Sequence, residues 1–264
     1  AAIVHDWQNK WALEGSCGPR NAGMGYWDEL KRHYNALARE GIAVEFVDQN
    51  ADLAGYGLVV VPMLYLLTDA FAKKLCAFAQ NGGTVIVTYW SGVVDESDLC
   101  RLGDTPYGLT ELLGLRRTEI DGMYDGETRR CMPAAGCTLP AAQASTLCEV
   151  AALDEKDPAE PLSLYDEDYF AGHPAAAVHR YGKGRAYYLA SRFDEAFYRA
   201  FYHDAAKEIG LSPAWPEALP EGVLAVRRGS FVFVQNCTEQ PVTVGNTVLA
   251  RYRTAVWKDM DRIF

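Results

Sequence analysis

Residues 58–92 read LVVVPMLYLLTDAFAKKLCAFAQNGGTVIVTYWSG. The stretch opens on the apolar run Leu58–Pro62, too short for a helix and typical of a strand buried on both faces. Thr68 and Asp69 supply the N-cap of an amphipathic helix reaching about Gln80. Gly82-Gly83 breaks that helix, and Thr84–Thr88 is a second buried strand. It runs into a sharp turn, Tyr89-Trp90-Ser91-Gly92. A strand-end turn of this kind can hold a strained nucleophile, which must be a thiolate or an activated hydroxyl. An indole stands there instead.

Working outward, the same alternation continues. Ala2–His5 is a short strand, and residues 16–25 (SCGPRNAGMG) are a Gly-rich loop. Tyr26–Glu40 has helical spacing and ends at Gly41. Ala43–Val47 is another strand. Past Gly92 the pattern is less regular. It predicts a short helix near 108–114, strands at 116–124 and 147–153, and loops at 131–144 and 154–161. A hairpin about Gly182-Lys183-Gly184 and a closing helix over 193–209 follow. Strands alternating with helices predict an α/β fold with a mainly parallel sheet covered on both faces. The segment 214–220 is Pro-rich and reads as a linker between residues 1–213 and a small antiparallel β domain over 221–264.

Composition bounds the function. The 264 residues carry a formal charge of -10, so there is no basic footprint for nucleic acid or an anionic membrane surface. No apolar run approaches the roughly 20 residues that span a bilayer. The opening AAIVHDW has no initiator Met and no signal-peptide h-region, which reads as a piece of a longer polypeptide. The seven cysteines (17, 76, 100, 131, 137, 148, 237) are odd in number and lack C-x-x-C spacing. Cys76 and Cys148 read as core thiols of a reduced, cytoplasmic chain. A metal site at Cys131 and Cys137 would lack nearby His ligands, so no metal is expected. The glycines at 15, 18, 23 and 25 miss the dinucleotide fingerprint and no P-loop is present, so no cofactor is expected either.

In class I glutamine amidotransferases the corresponding strand ends in a Gly-x-Cys-x-Gly elbow. Aligning its last Gly with Gly92 puts Trp90 at the Cys position and Thr88 at the first Gly. Ser91 lies one residue on and would point elsewhere, and no His-x-Glu pair follows to supply a base. The elbow is therefore degenerate, and no catalytic residue is assigned to this chain. The acidic residues Asp95, Glu96 and Asp98 read as a solvated loop. His5, beside Asp6 and Trp7 at a strand end, reads as a structural histidine.

Several motifs together carry a more specific resemblance. They are His5-Asp6-Trp7, Trp11-Ala12-Leu13-Glu14, Val59-Val60-Val61-Pro62, Gly82-Gly83-Thr84, Leu112-Leu113-Gly114-Leu115, Glu119-Ile120 and Gly182-Lys183-Gly184-Arg185-Ala186. The run Ser91-Gly92-x-x-Asp95-Glu96-x-Asp98 is the most specific. Together they are similar to the middle domain of glycoside hydrolase family 42 β-galactosidases, with 221–264 similar to that family's small C-terminal β domain. The resemblance implies a flavodoxin-like, amidotransferase-like α/β domain that mediates trimerisation. It also implies a parent β-galactosidase whose (β/α)8 barrel carries both catalytic glutamates. About 250 residues are needed for such a barrel, and none remain here. The expected partners are thus the parent's own barrel and two further copies in a homotrimer. Trp7, Trp11, Glu14, Asp95, Glu96 and Asp98 are the expected cleft or interface contacts, because open α/β sheets place functional surfaces at strand ends. The alternative is a free-standing carbohydrate-binding or small hydrolytic protein of the amidotransferase-like class. The missing Met and missing elbow Cys argue against it.

Overall fold

The structure, a computed structural model, describes residues 1–16, 18 and 23–258. Most of the expected Gly-rich loop (17 and 19–22, with Cys17) and the end of the expected β domain (259–264) lie outside the described residues.

In chain order the elements are β1 (Ala2–Val4), α1 (Trp7–Gly15), α2 (Tyr26–Arg39), β2 (Glu45–Val47), β3 (Leu58–Val61), α3 (Asp69–Gln80) and β4 (Thr84–Thr88). Then follow α4 (Thr110–Leu113), β5 (Leu115–Gly122), β6 (Thr128–Pro133), β7 (Ala142–Leu153), β8 (Glu160–Tyr165), β9 (Pro174–Tyr181), β10 (Gly184–Leu189), β11 (Ser191–Arg192) and α5 (Glu195–Glu208). The chain continues with β12 (Val223–Arg228), β13 (Phe231–Asn236), β14 (Val242–Val244), β15 (Thr247–Leu249) and β16 (Thr254–Lys258).

Eleven strands form one sheet in the order β11-β7-β6-β8-β9-β10-β4-β3-β1-β2, with β5 also paired to β7. Toward the β2 end it is parallel: β1 with β3, β3 with β4, and β4 with β10, in registers such as Val59 opposite Val85 and Ile86 opposite Tyr187. Every residue of β1, β3 and β4 is buried, so both faces of this part are covered. From β10 outward the sheet turns antiparallel, beginning with the expected hairpin to β9.

The helix ends follow from local chemistry. Thr68 Oγ1 accepts from Phe71 N at 3.2 Å and starts α3. Gly41, at φ +68°, ends α2 by donating to Ala38 O, and Ile42 N donates to Leu37 O.

Packing divides the chain into two compact units, residues 1–33 with 46–201, and residues 34–45 with 202–264. In the second unit β12, β13 and β16 form an antiparallel sheet and β14 pairs with β15. Val223, Ala225, Val232 and Val234 make its core with Trp215, Val244 and Leu249. Strand β13 alternates strictly, burying Val232, Val234 and Asn236 and leaving Phe231 and Phe233 partly in solvent.

Among the described residues no helix is long and apolar enough to cross a membrane, and no group of three or more His, Cys, Asp or Glu could hold a metal ion. The six described cysteines are free thiols. Cys148 and Cys131 are buried, and burial pushes both thiols up to about 12. Cys76 is half-buried.

Candidate functional site

The expected site residues gather at the C-terminal edge of the parallel strands, where three successive connections meet. The first leaves β1. Asp6 caps α1, its Oδ1 accepting from Gln8 N at 2.8 Å and Asn9 N at 3.2 Å. The helix turns Asn9, Ala12 and Leu13 inward. Trp7, Trp11 and Glu14, spaced i, i+4, i+7, share the outward face, and the two indoles are 54% and 62% exposed.

Asn9 joins this helix to the second connection, which leaves β3. Its amide donates to Met63 O at 3.1 Å and accepts from Leu66 N at 2.9 Å. That segment then joins the third, since Gly92 N donates to Leu64 O and Val93 N to Tyr65 O. Met63 (φ +44°) and Trp90 (φ +60°), at the ends of the adjacent strands β3 and β4, both adopt the left-handed backbone that large side chains avoid.

The elbow is tightly packed. Trp90 is 4% exposed and stacks on the Tyr65 ring at 5.6 Å. A Cβ on Gly18 would lie 2.7 Å from the indole, so the backbone at Gly18 passes directly against it. Its Nε1 is buried and has no hydrogen-bond partner. Ser91 is fully buried, and its Oγ accepts from Leu64 N at 3.1 Å. Thr88 Oγ1 likewise accepts from Met63 N at 2.8 Å. The hydroxyls flanking the elbow thus brace backbone.

Two buried carboxylates hold the elbow from below. Glu149, from β7, accepts from Trp90 N at 2.9 Å, from Arg117 Nη1 at 2.6 Å and from the Tyr188 hydroxyl. Glu29, from α2, accepts from Tyr89 OH at 3.2 Å, Arg192 Nε at 2.8 Å and Tyr198 OH at 2.7 Å, and His33 Nε2 lies 3.3 Å away. Burial alone would raise the Glu29 carboxyl, but His33, Arg192 and Tyr198 outweigh it and hold it at about 2. Burial, reinforced by these carboxylates, pushes the phenols of Tyr89, Tyr188 and Tyr198 well above 10.

The acidic loop behaves as a surface turn. Asp95 Oδ1 accepts from Ser97 N at 2.8 Å and Leu99 N at 3.1 Å, which lowers its carboxyl. Glu96 sits 3.7 Å from Arg101, whose guanidinium pairs with Asp69 at 2.7 Å and covers the Tyr107 ring. Asp98, at φ +60°, turns the chain back by donating to Asp95 O. The aromatic helix α1 and this acidic loop therefore share one edge through Asn9 and residues 63–67, with their own side chains engaged separately.

Sequence reasoning missed Asn9, Glu29, Arg117, Glu149 and Arg192. Two of them had a readable signal. Glu149 is a lone acid inside the apolar run Leu147–Ala152, and Glu29 with His33 falls i, i+4 on the core side of α2.

These features define a class: an amidotransferase-like α/β module whose strand-end elbow is sealed by a buried indole. The model of the β-galactosidase trimerisation domain family matches residues 1–212. The chain belongs to that family.

It is 45% identical over 247 residues to the beta-galactosidase BglY of Alicyclobacillus acidocaldarius, covering 91% of this chain and 36% of that protein. Identity to the beta-galactosidase Pbg of Clostridium perfringens is 34% over 250 residues, covering 92% and 36%. Among solved structures, a beta-galactosidase from Rahnella sp. R3 superposes with a TM-score of 0.90 at 38% identity, over 97% of this chain and 40% of that one. The chain spans about 36% of the length of the curated relatives it matches.

Proposed function

We propose that this chain is the assembly region of a β-galactosidase: it holds subunits together as a homotrimer and does not itself cleave galactosides. The single observation that carries the reading is the elbow. Where a hydrolytic relative of this fold needs a nucleophile, Trp90 is 4% exposed and wedged between Tyr65 and Gly18, and Ser91 is spent on Leu64 N. The match to a trimerisation domain over residues 1–212 supports the assembly role. The names of the relatives support the parent activity.

On this reading residues 1–213 are the trimerisation domain, 214–220 a linker and 221–264 a small β domain. The partners are the parent's catalytic barrel and two further copies, and the setting is cytoplasmic. Neither barrel glutamate lies in this chain, and none of its carboxylates takes over their roles. Sedimentation velocity together with a chromogenic galactoside assay tests the proposal. A species of three copies with hydrolysis at the buffer rate is expected. Galactoside hydrolysis by the purified chain, abolished by a substitution within it, would overturn it.

A further inference from the structure

Of the six tryptophans in the chain, Trp7, Trp11 and Trp27 are 54%, 62% and 43% exposed. All three belong to one cluster. Trp7 lies 6.4 Å from Trp11 and 5.8 Å from Trp27, measured between ring centroids. His5 knits the group, stacked on Trp27 at 4.7 Å and edge-on to Trp7 at 5.1 Å. Its Nε2 is buried with no hydrogen-bond partner, and burial lowers its basicity. Lys10 and Glu14, paired at 2.5 Å, edge it, with the Lys10 ammonium 5.9 Å from the Trp7 ring.

A helix of this size ordinarily turns its largest apolar side chains to the core. Helix α1 does the reverse, burying Asn9, Ala12 and Leu13 and presenting both indoles to water. At up to ~250 Å² for each Trp, the three rings leave roughly 400 Å² of aromatic surface in solvent. That is about half of the ~800 Å² each partner contributes to a stable interface. The rings also hold one another in place, so docking orders few new rotamers. An aromatic centre with a charged rim is the anatomy of a protein-binding hot spot.

We infer that the His5–Trp7–Trp11–Trp27 patch is the surface by which one copy of this chain docks onto a second copy. The inference rests on the assembly role proposed above and adds the residues that carry it. One patch per subunit suffices, because in a cyclic trimer each copy presents it once and receives its neighbour's on a different surface.

The test is sedimentation velocity of the full chain across a concentration series, comparing wild type with Trp7→Ser/Trp11→Ser. A trimer whose midpoint concentration rises at least about 30-fold in the variant, with an unchanged melting temperature, is expected. Trp11→Phe should recover most of the association. If the double variant does not fold, Trp11→Glu alone carries the comparison, since that ring is the most exposed of the three. Wild type and variant assembling equally well would overturn the inference and leave the assembly role standing. A monomeric wild type would overturn both. Titration with free galactose separates the other occupant: a saturable change in tryptophan emission lost in the variant, with assembly unaltered, would make the patch a sugar platform and overturn the inference.

Discussion

Replacing Glu149 should unfold this protein more readily than any exposed substitution, and the structure gives the size. The carboxylate is fully buried and faces the Arg117 guanidinium, itself 6% exposed, at 2.6 Å. Glu149→Gln keeps the shape and an acceptor for Trp90 N but leaves the guanidinium without its counter-charge. Breaking one side of a buried pair costs about 3–5 kcal/mol. Glu149→Ala additionally strands the Trp90 N–H, for a further ~1–3 kcal/mol. Against a domain stability of about 5–15 kcal/mol, either loss is a large fraction. Urea unfolding followed by near-UV circular dichroism reads it, since Trp90, Tyr65 and Tyr188 share this environment. The decisive comparison adds Arg117→Met. With both charges gone, the double variant should be more stable than the sum of the single losses predicts by about 1–3 kcal/mol. A loss below ~1 kcal/mol for Glu149→Gln, or strict additivity in the cycle, would refute the claim that this pair braces the elbow.

Two further outcomes follow from the same region. Glu29 is held at about 2 against an ordinary 4.5, so its contribution is complete above 4.5 and is lost as pH falls toward 2. The shift corresponds to roughly 3 kcal/mol, and the stability gap between wild type and Glu29→Gln should shrink over that window. A gap independent of pH would contradict it. At Gly92 the backbone has φ +63°, and an added Cβ would lie 2.7 Å from Tyr107 N. Gly92→Ala should therefore lower the melting temperature well beyond Gly126→Ala, where φ is +85° but nothing lies within 4 Å and only the ~1–2 kcal/mol backbone penalty applies. Equal shifts would show that the close approach carries no energy.

The parallel part of the sheet was legible because β1, β3 and β4 are short, mostly apolar runs, and the helix between β3 and β4 has a readable cap. The antiparallel extension was less so. Strand β6 (TRRCMP) is polar and ends in Pro, and β8 (EPLSLY) begins with a Glu-Pro pair, so 131–133 and 160–161 read as loop and the rest of both strands went unassigned. Only pairing with each other and with β7 and β9 makes them strands, and that pairing joins residues as distant as Cys131 and Tyr165. Helix α1 escaped notice for a different reason. Its apolar residues face outward, so the usual core-facing stripe is missing, and Asp6 was the one local sign of its start. The candidate contact residues were proposed from the strand-end rule and the resemblance. Their supports, Glu29 and Glu149, were not, because a carboxylate in an apolar run announces burial without naming its partner.

The supports at the elbow act on a strained backbone. Trp90 and Met63 each sit in a backbone conformation that costs about 1–3 kcal/mol, and such conformations last only where surrounding contacts over-determine them. Here they are over-determined: Glu149 takes the Trp90 N–H, Thr88 takes the Met63 N–H, Ser91 takes the Leu64 N–H, and Asn9 bridges Met63 and Leu66. Those same bonds fix the segment on which α1 rests, and with it the outward face of Trp7 and Trp11. A turn shaped to hold a reactive side chain at a strand end is equally suited to hold a surface rigid. In this chain the strained geometry sets the position of an aromatic patch, through Asn9 and the backbone bonds at residues 63–66.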